Sequence, residues 1–195
     1  MSAPTNPHIG MAPSPWIARF AHLVPARARV LDLACGYGRH ARFFAARGAQ
    51  VLAVDRDTAA LVTLAGTPGV DIRQADLEGE PWPLDSQRFD AVVVSHYLHR
   101  PLFPDLRAAL EPDGTLLYET FAQGNEAYGR PSNPDFLLRP GELLALASAA
   151  PHALTVVAFE QGRVDLDGRP AVMQRVAAVG PMRAWPPVVA ASTAT

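Results

Sequence analysis

Between residues 14 and 184, short apolar runs alternate with stretches whose apolar positions recur every three or four residues. That alternation predicts strands and helices following one another along the chain. A first helix is expected from Ser14, with Pro15 in its first turn, through Trp16 to about Leu23. The run Arg29 to Ala34 (RVLDLA) reads as a strand leading into a glycine turn, Gly36-Tyr37-Gly38. A helix from about Arg39 to Arg47 closes on Gly48, and Val51 to Val54 forms a second strand ending on Asp55. Asp57 is placed to cap a helix carrying Leu61 and Leu64, which Gly66 and Pro68 stop. A third strand spans Val70 to Ala75, with Asp76 just past its end. In Phe89 to Ser95 (FDAVVVS), consecutive valines leave no polar face, which predicts a strand buried on both sides. A helix from Pro101 to Leu110, a turn at Pro112-Asp113-Gly114 and a strand from Thr115 to Thr120 follow.

Residues 121–139 break this rhythm. The stretch holds Asn-containing turns and the aromatics Phe121, Tyr128 and Phe136, as expected of an ordered lid over a site. Pro140 opens a Leu/Ala-rich helix to about Ala149. Leu154 to Glu160 and Val172 to Val179 then read as strands joined by the hairpin signal Asp165-Leu166-Asp167-Gly168. Strand–helix alternation that ends in a hairpin predicts a doubly wound, mostly parallel α/β sheet with helices on both faces and the last strand inserted antiparallel. One domain over residues 14–184 is expected. Residues 1–13 and 185–195, rich in Pro, Ala, Ser and Thr, read as disordered tails.

Composition narrows the chemistry. All 17 basic residues are arginine, so lysine Schiff-base chemistry and a P-loop lysine are excluded. The arginine, alanine and proline excess is the mark of a GC-rich genome. Cys35 is the only cysteine; it forms no internal disulfide, matches a reducing, cytoplasmic setting and rules out multi-thiolate metal sites. No apolar run approaches the roughly 20 residues of a membrane helix, and no apolar signal core opens the chain. A net charge of −2 without a basic cluster argues against nucleic acid as the main partner.

The informative block is VLDLACGYGRHARFFAARGAQVLAVDRD, residues 30–57. Gly36 and Gly38 carry no Cβ, so a ligand can approach the backbone between strand and helix closely. Asp55, about 20 residues further on at the end of the next strand, is placed to accept both hydroxyls of a ribose. Asp76 and Leu77, past the third strand, suit an adenine amino group and an adenine face. Gly36-Tyr37-Gly38-Arg39-His40-Ala41 also satisfies the dinucleotide pattern G-x-G-x-x-A, which keeps NAD and an oxidoreductase open. Asp32 points elsewhere: an acid inside the strand before the glycines is unhelpful beside a pyrophosphate and helpful beside an ammonium group. Arg39, opening the helix, suits a carboxylate. Adenosine at one end and an amino acid at the other describe S-adenosyl-L-methionine.

Asp32-Leu33-Ala34-Cys35-Gly36-Tyr37-Gly38 resembles the first motif of class I S-adenosylmethionine-dependent methyltransferases. Asp55 matches their ribose-binding acid and Asp76-Leu77 their adenine-side motif. Phe89 to Ser95 resembles their fourth-strand motif, and Leu110-Glu111-Pro112-Asp113-Gly114-Thr115-Leu116 their L-x-P-G-G-x-L turn, with Asp113 in place of the first glycine. Ala34 stands where many members have glycine. The likeness covers residues 29–120 and implies a Rossmann-like seven-stranded sheet; among subfamilies, the small bacterial tellurite-resistance type is most similar. It implies a cofactor set of Asp32, Ala34, Cys35, Gly36, Gly38, Arg39, Asp55, Arg56, Asp76, Leu77 and Ser95.

On the acceptor side, Ser95-His96-Tyr97-Leu98-His99-Arg100 follows the fourth strand, where this fold places groups beside the transferred methyl. His96 and His99 are candidate general bases, with Tyr97 between them. Glu119 ends the fifth strand, and Tyr128 in the lid is placed to close over a sulfonium. The bland alternatives are a polar loop, a strand-end acid paired with an arginine, and a tyrosine packing the lid. Trp82 reads equally as a cover over the cofactor or a loop anchor, and Cys35 as packing. No metal site is expected. The expected function is methyl transfer to a small-molecule acceptor; an NAD(P)-binding oxidoreductase and a non-catalytic cofactor-binding module are the rivals. The apolar surface of helix 140–149 suits either the core or a homodimer contact.

Overall fold

The valine-rich centre of the chain sets the architecture. In a computed structural model, which describes residues 10–79, 81–166 and 168–184, strands β1 (Arg29–Leu33), β2 (Gln50–Asp55), β3 (Val70–Gln74), β4 (Phe89–Ser95), β5 (Leu110–Phe121), β6 (Thr155–Leu166) and β7 (Arg169–Val179) form one sheet. Its order is β3-β2-β1-β4-β5-β7-β6. The first five strands run parallel, and β7 is inserted antiparallel between β5 and β6. Helices α1 (Pro15–Phe20), α2 (Arg39–Ala45), α3 (Thr58–Val62), α4 (Phe103–Ala108) and α5 (Glu142–Ser148) complete the domain. This is the doubly wound, seven-stranded arrangement expected, with its closing hairpin.

Each face of the sheet has its own core. Val30, Val51, Ala53, Ala91, Val93, Leu117 and Ala177 are buried against Trp16, Ile17 and Phe20 of α1 and Ala41 and Phe44 of α2. Leu31, Leu33, Val92, Val94 and Leu116 point the other way, toward Phe103 and Leu106 of α4 and Leu143 and Ala147 of α5. Successive side chains of a strand alternate between faces, so both layers come from the same short runs. The apolar side of α5 is thereby used inside the domain, and Leu144 is its exposed leucine.

Local signals hold where they were strongest. Asp57 accepts the backbone N–H groups of Ala59 and Ala60 at the start of α3. Several boundaries shift: β6 runs on to Leu166, β7 begins already at Arg169, and α3 ends at Val62, short of Leu64. Expected helix 101–110 divides into a 3-10 turn, Arg100–Leu102, and α4. The Pro112-Asp113-Gly114 turn is an excursion within β5: the register with β4 jumps between Phe89 and Ala91, and Gly180 N–H and Met182 N–H bond to the carbonyls of Gly114 and Pro112. Residues 1–9 and 185–195 of the two expected tails lie outside the described residues.

The 122–138 segment is closed on itself. Ala122 bridges to Leu138. The buried Asn125 side chain accepts from Val172 N–H at 3.1 Å and donates to the Pro131 carbonyl at 3.1 Å. Arg100 grips the far end through the carbonyls of Asp135 and Leu137 and through both oxygens of Glu142.

Candidate active site

The turn after β1 is held by the backbone and by one carboxylate. Ala34, Gly36 and Gly38 take φ values of 52°, 52° and 71°. For glycine this conformation has little cost, while Ala34 occupies it with a Cβ, which explains why glycine suits that position. Cys35 N–H bonds to the Val54 carbonyl, and Gly36 N–H donates to Asp55 Oδ2 at 2.7 Å. Asp55 Oδ1 accepts from Asp57 N–H at 2.9 Å. The acid ending β2 therefore ties the glycine turn of β1 to its own strand end.

Two cavities meet at Ala34. One, of about 170 Å³, is lined by Ala34, Asp55, Arg56, Ala75, Asp76, Leu77, Glu78 and Tyr97. The other, of about 390 Å³, is lined by Met11, Asp32, Ala34 to His40, Ser95 and His96. One presents acids beside a buried leucine; the other presents Asp32 and Arg39. Asp32 is buried, and its Oδ2 has no hydrogen-bond partner among the described residues. Burial pushes its carboxyl up to about 7; the Ala41 N–H and the Arg39 charge oppose that rise and Asp55 adds to it. A buried, unsatisfied carboxyl facing a cavity is suited to a ligand that brings a donor.

The structure brings together the expected set Asp32, Ala34, Cys35, Gly36, Gly38, Arg39, Asp55, Arg56, Asp76, Leu77 and Ser95 around these two cavities. Burial, then the Asp32 and Asp55 carboxylates, push the Cys35 thiol up, which disfavours a thiolate there, and Sγ donates to the Gly36 carbonyl. His96 lies at the second cavity with φ 57°, its N–H bonded to the Glu119 carbonyl and its ring 4.9 Å from that of Phe121.

The remaining acceptor-side residues do not line the second cavity. Tyr97 lines the first cavity with Asp76 and Leu77, and His96 lines the second. The Tyr97 hydroxyl is buried without a hydrogen-bond partner among the described residues, and burial pushes it up beyond the usual tyrosine range. His99 lines neither cavity and stands at the start of the 3-10 turn. Glu119 lies beneath the second cavity rather than in it: its side chain is 1% exposed and engaged by Ser95 and Arg175. Tyr128 is exposed, on a segment tied down by Asn125 and Arg100, and it lines neither cavity. Trp82 packs against the α4-side core.

Met11, Tyr37, His40 and Glu78 line the cavities without having been singled out. Met11 falls in the segment expected to be a tail; Ser14 anchors it, capping α1 and donating its N–H to His40 Nε2 at 3.2 Å. Burial, then the Arg39 charge, push His40 down to about 3, so the imidazole is a neutral acceptor. The signal available for His40 was its place on the first turn of α2, beside the glycines. Among the described residues, no cluster of three His, Cys, Asp or Glu is arranged to hold a metal ion.

Residues 30–114 match the family described as "Methyltransferase domain". The chain carries the class I methyltransferase fold. It is similar to TehB from Haemophilus influenzae (TM-score 0.69, 16% identity, 82% of this chain and 60% of that one). A SAM-dependent methyltransferase from Methanosarcina mazei superposes with a TM-score of 0.66 and 15% identity over 87% of this chain and 99% of that one. In sequence, a protein named demethylmenaquinone methyltransferase, from Clavibacter sepedonicus, is 31% identical over 141 residues, 68% of this chain. The chain spans about half (53%) of that relative's length. The cofactor this fold and domain imply is S-adenosyl-L-methionine, and the donor set fits it: paired acids and an apolar face in one cavity, an unsatisfied carboxyl and a guanidinium in the other. No helix among the described residues is long and apolar enough to cross a membrane.

Proposed function

We propose that this chain is an S-adenosyl-L-methionine-dependent methyltransferase acting on a small-molecule acceptor. The observation that carries the reading is Asp32, a buried carboxyl with an unpartnered oxygen, set beside Arg39 in the second cavity. An amino-acid head group supplies the ammonium that Asp32 lacks and the carboxylate that Arg39 suits. A pyrophosphate in the same place would lie against an acid, which disfavours the NAD reading. Asp55 receives the ribose hydroxyls, Asp76 the adenine amino group, and Leu77 the ring face.

When bound, the cofactor supplies a methyl group already activated by its sulfonium. The residues of the chain then have to bind both partners and align them, and orientation of this kind contributes ~7–11 kcal/mol in well-placed systems. His96, at the second cavity, is the group placed to take a proton from an acceptor that arrives protonated; an imidazole accepts protons near neutral pH. Met11 and Tyr37 give that end of the cavity an apolar rim. The Clavibacter relative is named for a small acceptor, and the net charge of −2 gives a polyanion no hold; both support a small-molecule acceptor.

Calorimetric titration with S-adenosylhomocysteine, and in parallel with NAD(H), tests the reading. Micromolar S-adenosylhomocysteine binding, weakened at least about tenfold by Asp55→Ala and without an NAD(H) response, is the expected result. Binding of NAD(H) alone overturns it.

A further inference from the structure

The alternation that sends Asp32 and Asp55 to the cavity face sends other polar groups there too, and they form a row. Ser95 on β4 is in register with Glu119 on β5, Glu119 with Arg175 on β7, and Arg175 with Glu160 on β6. This row crosses four strands along the carboxyl edges of β4 and β5, immediately above the apolar layer of Val93, Leu117 and Ala177. Arg39 Nη2 donates to Ser95 Oγ at 3.0 Å, and the Ser95 hydroxyl donates to Glu119 Oε1 at 3.0 Å. Arg39 Nη2 is itself 4.0 Å from that oxygen. Glu119 Oε2 lies 3.4 Å from Arg175 Nε, an ion-pair approach in which neither atom makes a hydrogen bond among the described residues, and Arg175 Nη1 lies 3.9 Å from Glu160 Oε2. Arg19 of α1 ends the chain of charges on Glu160, at 2.9 Å.

Nothing in the methyl transfer needs Glu119 to touch a ligand, yet a carboxylate this deeply buried is costly unless its partners use it. What it holds is the cofactor-facing arginine. Only Nη2 of Arg39 has a hydrogen bond among the described residues, so the outer part of the guanidinium is presented to the second cavity. A long side chain anchored at one nitrogen has already lost most of its rotamer freedom before a carboxylate arrives.

Building on the methyltransferase reading, we propose that Glu119 is a positioning residue. Through Ser95 it fixes Arg39 to receive the carboxylate of the cofactor's amino-acid end, and Arg175 supplies the counter-charge that lets a carboxylate sit beneath the site. Glu119 therefore governs affinity for the amino-acid half of the ligand and leaves the adenosine half alone.

Two probes separate the halves: S-adenosylhomocysteine, and 5′-deoxy-5′-methylthioadenosine, which keeps the adenosine and thioether and lacks the amino acid. In Glu119→Gln, S-adenosylhomocysteine is expected to bind about tenfold more weakly, as for a lost charge-assisted contact, with methylthioadenosine affinity unchanged. Arg39→Ala should show the same pattern, and the double variant should be no weaker than Arg39→Ala alone, because both changes remove one interaction. Unchanged S-adenosylhomocysteine binding in Glu119→Gln overturns the proposal. So does an equal loss of both ligands, which marks a residue that merely supports the fold. A wild-type protein that binds neither probe refutes the methyltransferase reading itself, and this proposal with it.

Discussion

Replacing Asp32 by asparagine tests the cofactor site and the energetics of the apo fold together. In the folded chain the Asp32 carboxyl is pushed from 3.8 up to about 7, mainly by burial. Between those values the unfolded chain has released a proton that the folded chain keeps, so stability falls as pH rises through the window and the loss is complete above about pH 7. At 1.36 kcal/mol per pH unit, the gap corresponds to about 4 kcal/mol. An asparagine side chain in that place carries no charge to desolvate and can still accept from the Ala41 N–H. Asp32→Asn should therefore be more stable than wild type at pH 8 and no more stable at pH 4. Recovery of even half the penalty raises Tm by about 4–8 °C for a domain of this size. Ligand binding moves the opposite way: an ammonium beside Asp32 favours its ionised form, so S-adenosylhomocysteine should bind tighter as pH rises toward about 7 and release a proton on binding below that pH. Calorimetry in two buffers of different ionisation enthalpy counts that proton. Asp32→Asn should release none and bind roughly 10–100-fold more weakly. A variant that melts lower than wild type at pH 8, or keeps the proton release, refutes the assignment of Asp32 as the buried acid of the ligand site.

Other perturbations probe the scaffold around that site. Arg100→Lys exchanges a fork that bonds both oxygens of Glu142 and two carbonyls for a single point charge. It should cost about 1–2 kcal/mol and raise hydrogen exchange across 134–142 with little change elsewhere. Arg100 holds the Glu142 carboxyl below its ordinary 4.5, so this stabilisation is present above that value and lost as pH falls through the lowered one; Glu142→Gln should flatten that part of the acid denaturation curve. Gly38→Ala places a Cβ against the buried Leu64 side chain at a backbone with φ 71°, and should lower stability by about 2–4 kcal/mol in urea titration.

The order of the elements, the glycine turn and the acids at the ends of β1 and β2 were legible in the sequence, because each rests on short-range rules. Alternation between sheet faces is local, and so is the demand for positive φ between Ala34 and Gly38. Asp55 follows from the distance between two consecutive strand ends. Consecutive valines in β4 were enough to place it at the centre of the sheet. Tertiary structure decided which of the polar residues beyond β4 face a ligand. Glu119 is drawn under the cavity by Arg175, from a strand that inserts beside β5 only at the end of the chain. Tyr128 rides on a segment whose place is fixed by Asn125 and Arg100, and it lines neither cavity. Met11 belongs to the site through a hydrogen bond between Ser14 and His40 that no local pattern announces. Periodicity tells which face of a strand a side chain leaves from; what it meets there is set by partners distant in the sequence, and by whether a buried polar group can be satisfied without the ligand.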